Sequence, residues 1–261
     1  MPQLRAADAL VDYRVIGAGE PVTVFAHGLG GTIEQTRPFG SGVRGTRAFL
    51  HFRGHGASSV PPGPWTYASL AEELLAVADH VRATRALGVS LGAGALLRLA
   101  AERPDRFERI VLVLPASVDR PRDDRASARM RRMAAHVEAG DTEALAALLR
   151  SEQPEGARGR PDVAAWARDH AHHLLGTGVA TALRELAAQA PLEDRGALEE
   201  VRAPVLVIGQ HGDEAHPARV AEGLAAALPR AELSMFDADG LLWAHRRELR
   251  QLVAGFLNQP G

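Results

Sequence analysis

The sequence predicts an α/β fold: a mostly parallel central sheet flanked by helices, with an additional helical insertion. Three observations carry this expectation. Short strand-like runs alternate with helix-like runs along most of the chain, the pattern that places helices on the faces of a parallel sheet. Two runs, 110–114 and 205–208, are fully apolar, as strands buried on both faces must be. Between Pro115 and about Ala203 the strand pattern stops and four helical stretches follow, interrupted by Pro121, Pro154, Gly156, Gly159 and Pro161.

The elements follow in order. Residues 8–16 alternate loosely and end at Gly17-Ala18-Gly19-Glu20-Pro21, so a strand, a turn and a second strand at 22–26 are expected as an opening hairpin. After His27-Gly28-Leu29-Gly30-Gly31 and an irregular polar stretch, 46–52 reads as a strand. Leu70, Leu74, Val77 and Val81 give 69–81 the spacing of a helix. The next strand reaches Ser90, and a helix-forming run follows it. Residues 231–236 form the last expected strand, and Leu249, Leu252, Val253, Phe256 and Leu257 make 246–257 an amphipathic helix. The expected boundaries are a core at 1–114 and 204–261 with an inserted helical cap at 115–203.

Composition narrows the chemistry. The 261 residues are 46% hydrophobic, enough for one domain with a sizeable core. The 30 basic and 32 acidic residues leave a charge of −2, so no net field favours nucleic acid or an anionic membrane. Every basic residue is Arg. Without Lys there is no Schiff base, no P-loop lysine and no Tyr-x-x-x-Lys pair; without Cys there is no thiol nucleophile or thiolate metal site. Gly40-Ser41-Gly42-Val43-Arg44-Gly45 has the letters of a dinucleotide fingerprint, but a strand follows it where a helix is required. No run approaches the roughly 18 apolar residues of a membrane span, and the N-terminus lacks the apolar core of a secretory leader. A cytoplasmic protein without cofactor or metal, acting on a small molecule, is expected.

Gly88-Val89-Ser90-Leu91-Gly92 has the form Gly-x-Ser-x-Gly between an apolar run and a helix-forming run. A strand that turns sharply into a helix strains its apex residue and needs small neighbours, here Gly88 and Gly92. Such a turn presents the Ser90 hydroxyl and sets the Leu91 amide at a helix start, where developing negative charge is favoured. The alternative is an ordinary glycine-rich turn.

Four features stand in order: His27-Gly28-Leu29-Gly30-Gly31, Phe52-Arg53-Gly54-His55-Gly56-Ala57-Ser58, the Ser90 turn, and Gly209-Gln210-His211-Gly212-Asp213 after a late strand. Together they resemble the α/β-hydrolase superfamily over essentially the whole chain, and look closest to small-lactone and ester hydrolases typified by enol-lactonases. The bias for Arg over Lys resembles proteins of high-GC bacteria. The resemblance implies a serine hydrolase that cleaves a small ester or lactone through an acyl-enzyme. Ser90 matches the nucleophile, and Leu91 matches one oxyanion-hole donor. Leu29, after His27-Gly28, matches the other, with Gly28 at the substrate. Asp213 matches the acid, or else caps the helix that begins near His216-Pro217-Ala218. His55 is expected to be structural.

The resemblance also implies a histidine after the last strand, near Asp239 or Gly240, and neither is one. Three explanations compete. His245, about five residues late, supplies the imidazole by a rerouted loop and is the first candidate. Another histidine serves, either His216 near Asp213 or His170, His172 or His173 of the cap. Alternatively no base is present, and the fold serves a lyase, a cyclase or a silent binding protein. Met130, Met133, Leu148, Trp166 and Leu174 of the cap line a hydrophobic pocket or pack as core.

Overall fold

The computed structural model describes residues 2–260. Its strands are β1 (Gln3–Ala6), β2 (Ala9–Ile16), β3 (Val22–Ala26), β4 (Thr46–Leu50), β5 (Arg85–Val89), β6 (Arg109–Val113), β7 (Val205–Gln210) and β8 (Ala231–Phe236). The helices are α1 (Ile33–Thr36), α2 (Tyr67–His80), α3 (Leu91–Glu102), α4 (Asp124–Ala139), α5 (Thr142–Ser151), α6 (Glu155–Arg158), α7 (Pro161–Leu175), α8 (Val179–Glu185), α9 (Ala218–Ala227) and α10 (Arg246–Leu257). The strands form one eight-stranded sheet in the order β1-β2-β4-β3-β5-β6-β7-β8. β1, β2 and β4 pair antiparallel, and every pairing from β4 through β3 to β8 is parallel.

Alternate residues of the central strands face two separate cores, as a strand period of two requires. Val24, Ala86, Ile110, Leu112, Val205 and Val207 pack with Leu70, Leu74, Val77, Leu96 and Leu224 of α2, α3 and α9. Their neighbours Phe25, Leu87, Val111, Val113, Leu206 and Ile208 pack with Leu249, Val253, Phe256 and Leu257 of α10. A third cluster, including Leu145, Leu149, Ala171, Leu174 and Leu183, belongs to the helices between β6 and β7. That segment holds five α-helices, α4 to α8, and two short 3-10 helices, where four helical stretches are expected. Asp123 and Asp141 cap α4 and α5 by accepting from the amides of Ala126 and Ala144, and Gly140 at φ 67° ends α4.

The expected hairpin of 8–16 with 22–26 is corrected. β2 pairs with β1 through Ala6 and Ala9, and on its other side with β4; β3 lies beyond β4. The physical reason lies in burial. All five residues of β3 are buried, so it belongs inside the sheet, whereas β2 and β1 keep exposed positions suited to the edge. β1 has too short a pattern to stand out in the sequence.

The chain after β4 is pinned by a buried ion pair. Arg53 and Glu73 are 1% and 0% exposed; the Arg53 amide donates to the Glu73 carboxylate at 2.9 Å, and its guanidinium Nε donates to the same group. Burial raises the pKa of Glu73 despite the opposing pull of Arg53. Removing one partner strands the other charge in the core. Arg53→Met is therefore expected to lower unfolding free energy by about 3–5 kcal/mol in urea titrations; a loss under about 1 kcal/mol would contradict the role assigned to this pair.

Candidate active site

The turn at Ser90 has the geometry its sequence context predicts. Ser90 lies between β5 and α3 at φ 51° and ψ −104°, in the left-handed half of the map that costs a non-glycine residue energy. The strain is held by neighbours. The Ser90 amide donates to the Val113 carbonyl at 2.9 Å and the Gly92 amide to the His27 carbonyl at 3.1 Å. A Cβ on Gly88 would collide with the Gly92 carbonyl, and one on Gly92 would lie 2.5 Å from the Ala26 oxygen. Both glycines are thus required by close approach rather than by flexibility. Gly28 stands beside the serine, since a Cβ there would lie 3.5 Å from Ser90 Cβ. Among the described residues, the amides of Leu29 and Leu91 have no hydrogen-bond acceptor within the protein.

Three buried imidazoles shape the loop that carries Leu29. His55 Nε2 accepts from the Gly30 amide at 2.9 Å, and His51 Nε2 accepts from the Ile33 amide at 2.9 Å. His27 Nε2 accepts from the Phe52 amide at 3.1 Å. A backbone N–H can only donate, so each ring carries its proton on Nδ1, which donates to the Arg53 carbonyl, the Asp12 carboxylate and the Gly28 carbonyl respectively. Burial keeps the rings of His27 and His55 neutral, pushing His27 well below its usual value and His55 down to about 4. His55 is structural as expected from the sequence, and its contact shows what it holds: the turn at Gly30 beside Leu29.

The imidazole at Ser90 belongs to His216. His216 Nε2 lies 2.8 Å from Ser90 Oγ, and His216 Nδ1 lies 3.0 Å from Asp213 Oδ2. Both residues sit on the loop 211–217 between β7 and α9. Asp213 Oδ1 accepts from the amides of Ala215 and His216 at 2.9 and 3.0 Å, so one carboxylate closes the turn and orients the ring it carries. The Asp213 side chain is 7% exposed. Burial opposes its charge, but the His216 ring and the two amides outweigh that and lower its pKa. An ionised carboxylate accepts only, so Nδ1 of His216 holds the ring proton. In the neutral ring, Nε2 then presents its lone pair to the serine hydroxyl.

The first candidate, His245, is corrected by this geometry. It stands at the N-terminus of α10, with Nε2 2.9 Å from Asp237 and Nδ1 3.2 Å from Glu248. Its hydrogen bond to Asp237 raises its pKa. Both ring nitrogens are committed to exposed carboxylates away from Ser90. The positions expected of a histidine hold Asp239 and Gly240, the latter at φ 96° and packed against Trp243. The sequence did carry a signal for His216: three residues from Asp213 within one turn before a helix, close enough for a carboxylate to grip the ring from its own loop.

Ser90, His216, Leu29 and Gly28 border a cavity of about 660 Å³. Met130, Met133, Leu149, Trp166, Leu174 and Leu183 cover it from the helical block. Leu148 and Leu149 both pack in the core of that block, and of the two Leu149 borders the cavity. His170 lines the wall, stacked on Trp166, while His172 is exposed. The polar exceptions include Arg122, Arg129 and Glu152. Burial raises the pKa of Glu152 against the pull of Arg129, whose Nε is 3.7 Å away. Among the described residues no helix is long and apolar enough to cross a membrane.

Comparison with known proteins agrees with the topology. The model of the family described as alpha/beta hydrolase fold matches residues 21–241. The chain is 29% identical over 119 residues to 3-oxoadipate enol-lactonase 2 of Acinetobacter baylyi, a match covering 44% of this chain and 45% of that protein. Among solved structures, the enol-lactonase of Burkholderia xenovorans LB400 superposes with a TM-score of 0.82 at 24% identity, covering 99% of this chain and 100% of that one. A thermophilic esterase from Thermogutta terrifontis superposes with a TM-score of 0.79 at 20% identity, covering 98% and 96%.

The neutral imidazoles give the site a pH limit. His55 ordinarily titrates near 6.5 and is held to about 4 in the fold; His170, also buried, is held to about 4. Between those values the unfolded chain binds protons that the folded chain refuses. This contribution to stability is therefore complete above pH 6.5 and lost as pH falls toward 4, on the order of 3 kcal/mol per group. Urea midpoints measured from pH 7.5 to 4.5 are expected to fall below pH 6.5; midpoints that stay level would contradict the neutral-ring assignment.

Proposed function

The chain belongs to the α/β-hydrolase family, and from that premise we propose that it is a serine hydrolase cleaving small esters or lactones through a Ser90 acyl-enzyme. One observation carries the reading: the line from Ser90 Oγ to His216 Nε2 at 2.8 Å and from His216 Nδ1 to Asp213 at 3.0 Å. A serine hydroxyl needs a base within hydrogen-bond reach. His216 is in reach, with the tautomer that accepts a proton.

In the reaction, His216 Nε2 takes the Ser90 proton as Oγ attacks the ester carbonyl carbon. The negative charge that develops on the carbonyl oxygen meets the amides of Leu29 and Leu91, whose hydrogen-bonding capacity the fold leaves free. Asp213 stabilises the imidazolium and remains ionised. The tetrahedral centre collapses, the bond to the leaving oxygen breaks, and His216 returns the proton to that oxygen. Water, deprotonated by the same ring, then attacks the acyl carbon; the bond to Oγ breaks, His216 returns the proton to Ser90 Oγ, and the acid leaves. Every step is proton transfer and acyl exchange, so neither a metal nor an organic cofactor is required.

The cavity supports a small, largely apolar substrate. Its 660 Å³ is in the range of small-molecule sites, and the methionine, leucine and tryptophan side chains of α4, α5, α7 and α8 act as a cap over Ser90. The enol-lactonase relative from Acinetobacter baylyi supports extending the class to lactones.

With p-nitrophenyl acetate, Ser90→Ala and His216→Ala are each expected to lower kcat/KM by roughly 10³-fold or more. His245→Ala should stay within about twofold, because its ring does not reach Ser90. A fluorophosphonate should add its mass to the peptide that contains Ser90. An active His216→Ala, or an inactive His245→Ala, would overturn the assignment of the base.

A further inference from the structure

The loop that carries His216 is held from two sides. Its amides at Ala215 and His216 are satisfied by Asp213. Its carbonyls at Glu214 and Ala215 are satisfied from the helical block: Arg129 Nη2 donates to the Glu214 carbonyl at 2.9 Å, and Arg122 Nη1 donates to the Ala215 carbonyl at 2.8 Å. Arg129 Nη1 also donates to the Glu214 carboxylate. Further contacts run the same way, with Arg125 3.6 Å from Glu214, and Arg219 of α9 3.4 Å from Asp123 at the start of α4.

Exposed ion pairs are weak, and those last two contribute little. Arg122 and Arg129 differ in kind. They donate to backbone carbonyls of the residues immediately before the imidazole, and the Arg129 side chain is only 14% exposed. Both arginines and His216 border the same cavity. The ring is therefore attached on one side to the sheet, through β7, and on the other to the block that covers the substrate.

We propose that Arg122 and Arg129 are positioning residues that strap the Asp213–His216 loop to the helical block, so that delivery of the imidazole to Ser90 depends on where that block sits. The proposal rests on the serine-hydrolase reading given above. Displacing a catalytic group by about 1 Å can cost on the order of 10²-fold, so a strap that sets this distance acts on turnover rather than on substrate binding.

The experiment compares variants by p-nitrophenyl acetate kinetics and by the rate of fluorophosphonate labelling, which reports Ser90 reactivity. Arg129→Met is expected to lower kcat on the order of 10- to 100-fold, with KM within about twofold, and to slow labelling in parallel. Arg122→Met should act in the same direction. Arg129→Lys, which keeps a cation and a donor, should recover most of the loss. Arg184→Ala breaks an exposed pair with Glu138 elsewhere on the block and should change neither readout. Where Arg129→Met fails to fold, Glu214→Ala removes a carboxylate that is 46% exposed and should slow labelling to a smaller extent. Wild-type labelling and turnover in both Arg129→Met and Arg122→Met would overturn the strap, as would a rise in KM at unchanged kcat. A wild-type protein that does not label at Ser90 would instead overturn the hydrolase reading on which the strap depends.

Discussion

A carboxylate that grips its own turn is the constraint on which the site depends. Asp213 Oδ1 closes residues 213–216 by accepting two amides, and Oδ2 holds the ring at the end of that turn. The same ionised group thus fixes the backbone, the ring's direction and its tautomer. Without it, the side chain of His216 would have free rotation about a surface loop. With it, Nε2 points at Ser90 from 2.8 Å. The proposed acid and base therefore come from one loop after β7, and the loop after β8 lines the cavity with Gly240, Leu242 and Trp243.

The other half of the site is built from neutral histidines and from glycines that must be glycines. His27, His51 and His55 each accept a backbone amide in the loops around Leu29, a task that protonated rings could not perform. Burial is what keeps His27 and His55 unprotonated. The close approach of α3 to the chain after β3, which Gly92 permits, fixes Ser90 against the same loop. The proposed nucleophile, anion-binding amides and base are consequently fastened to the ends of β3, β5 and β7, which lie with β6 in the parallel part of the sheet.

The fold was legible because its signals are periodic. Fully apolar β6 and β7, amphipathic α10 and the bare helical run between β6 and β7 each have one reading in terms of burial. The placement of β3 was not, since a turn between two strands reads as a hairpin unless sheet order is known. In the proposed site, Ser90, Leu29, Leu91 and Asp213 lie at turns that their local sequence marks as turns. The base was harder. A histidine's reach depends on the path of its loop, and the expected place after β8 drew attention to His245. The Asp213-x-x-His216 spacing was present, but only the hydrogen bonds of the turn show that it aims the ring at Ser90. Arg129 was illegible as a strap because the run Arg129-Met130-Arg131-Arg132 reads as a solvated helix face, and Arg122 lies in the loop before α4.

A crystal structure of the protein after reaction with a fluorophosphonate tests the central claim most directly. The expected result is phosphorus bonded to Ser90 Oγ, a phosphoryl oxygen within about 3 Å of the Leu29 and Leu91 amides, and His216 still held by Asp213 with Nε2 toward the adduct. An adduct on another residue, or one on Ser90 whose oxygen avoids both amides while another imidazole stands beside it, would contradict it.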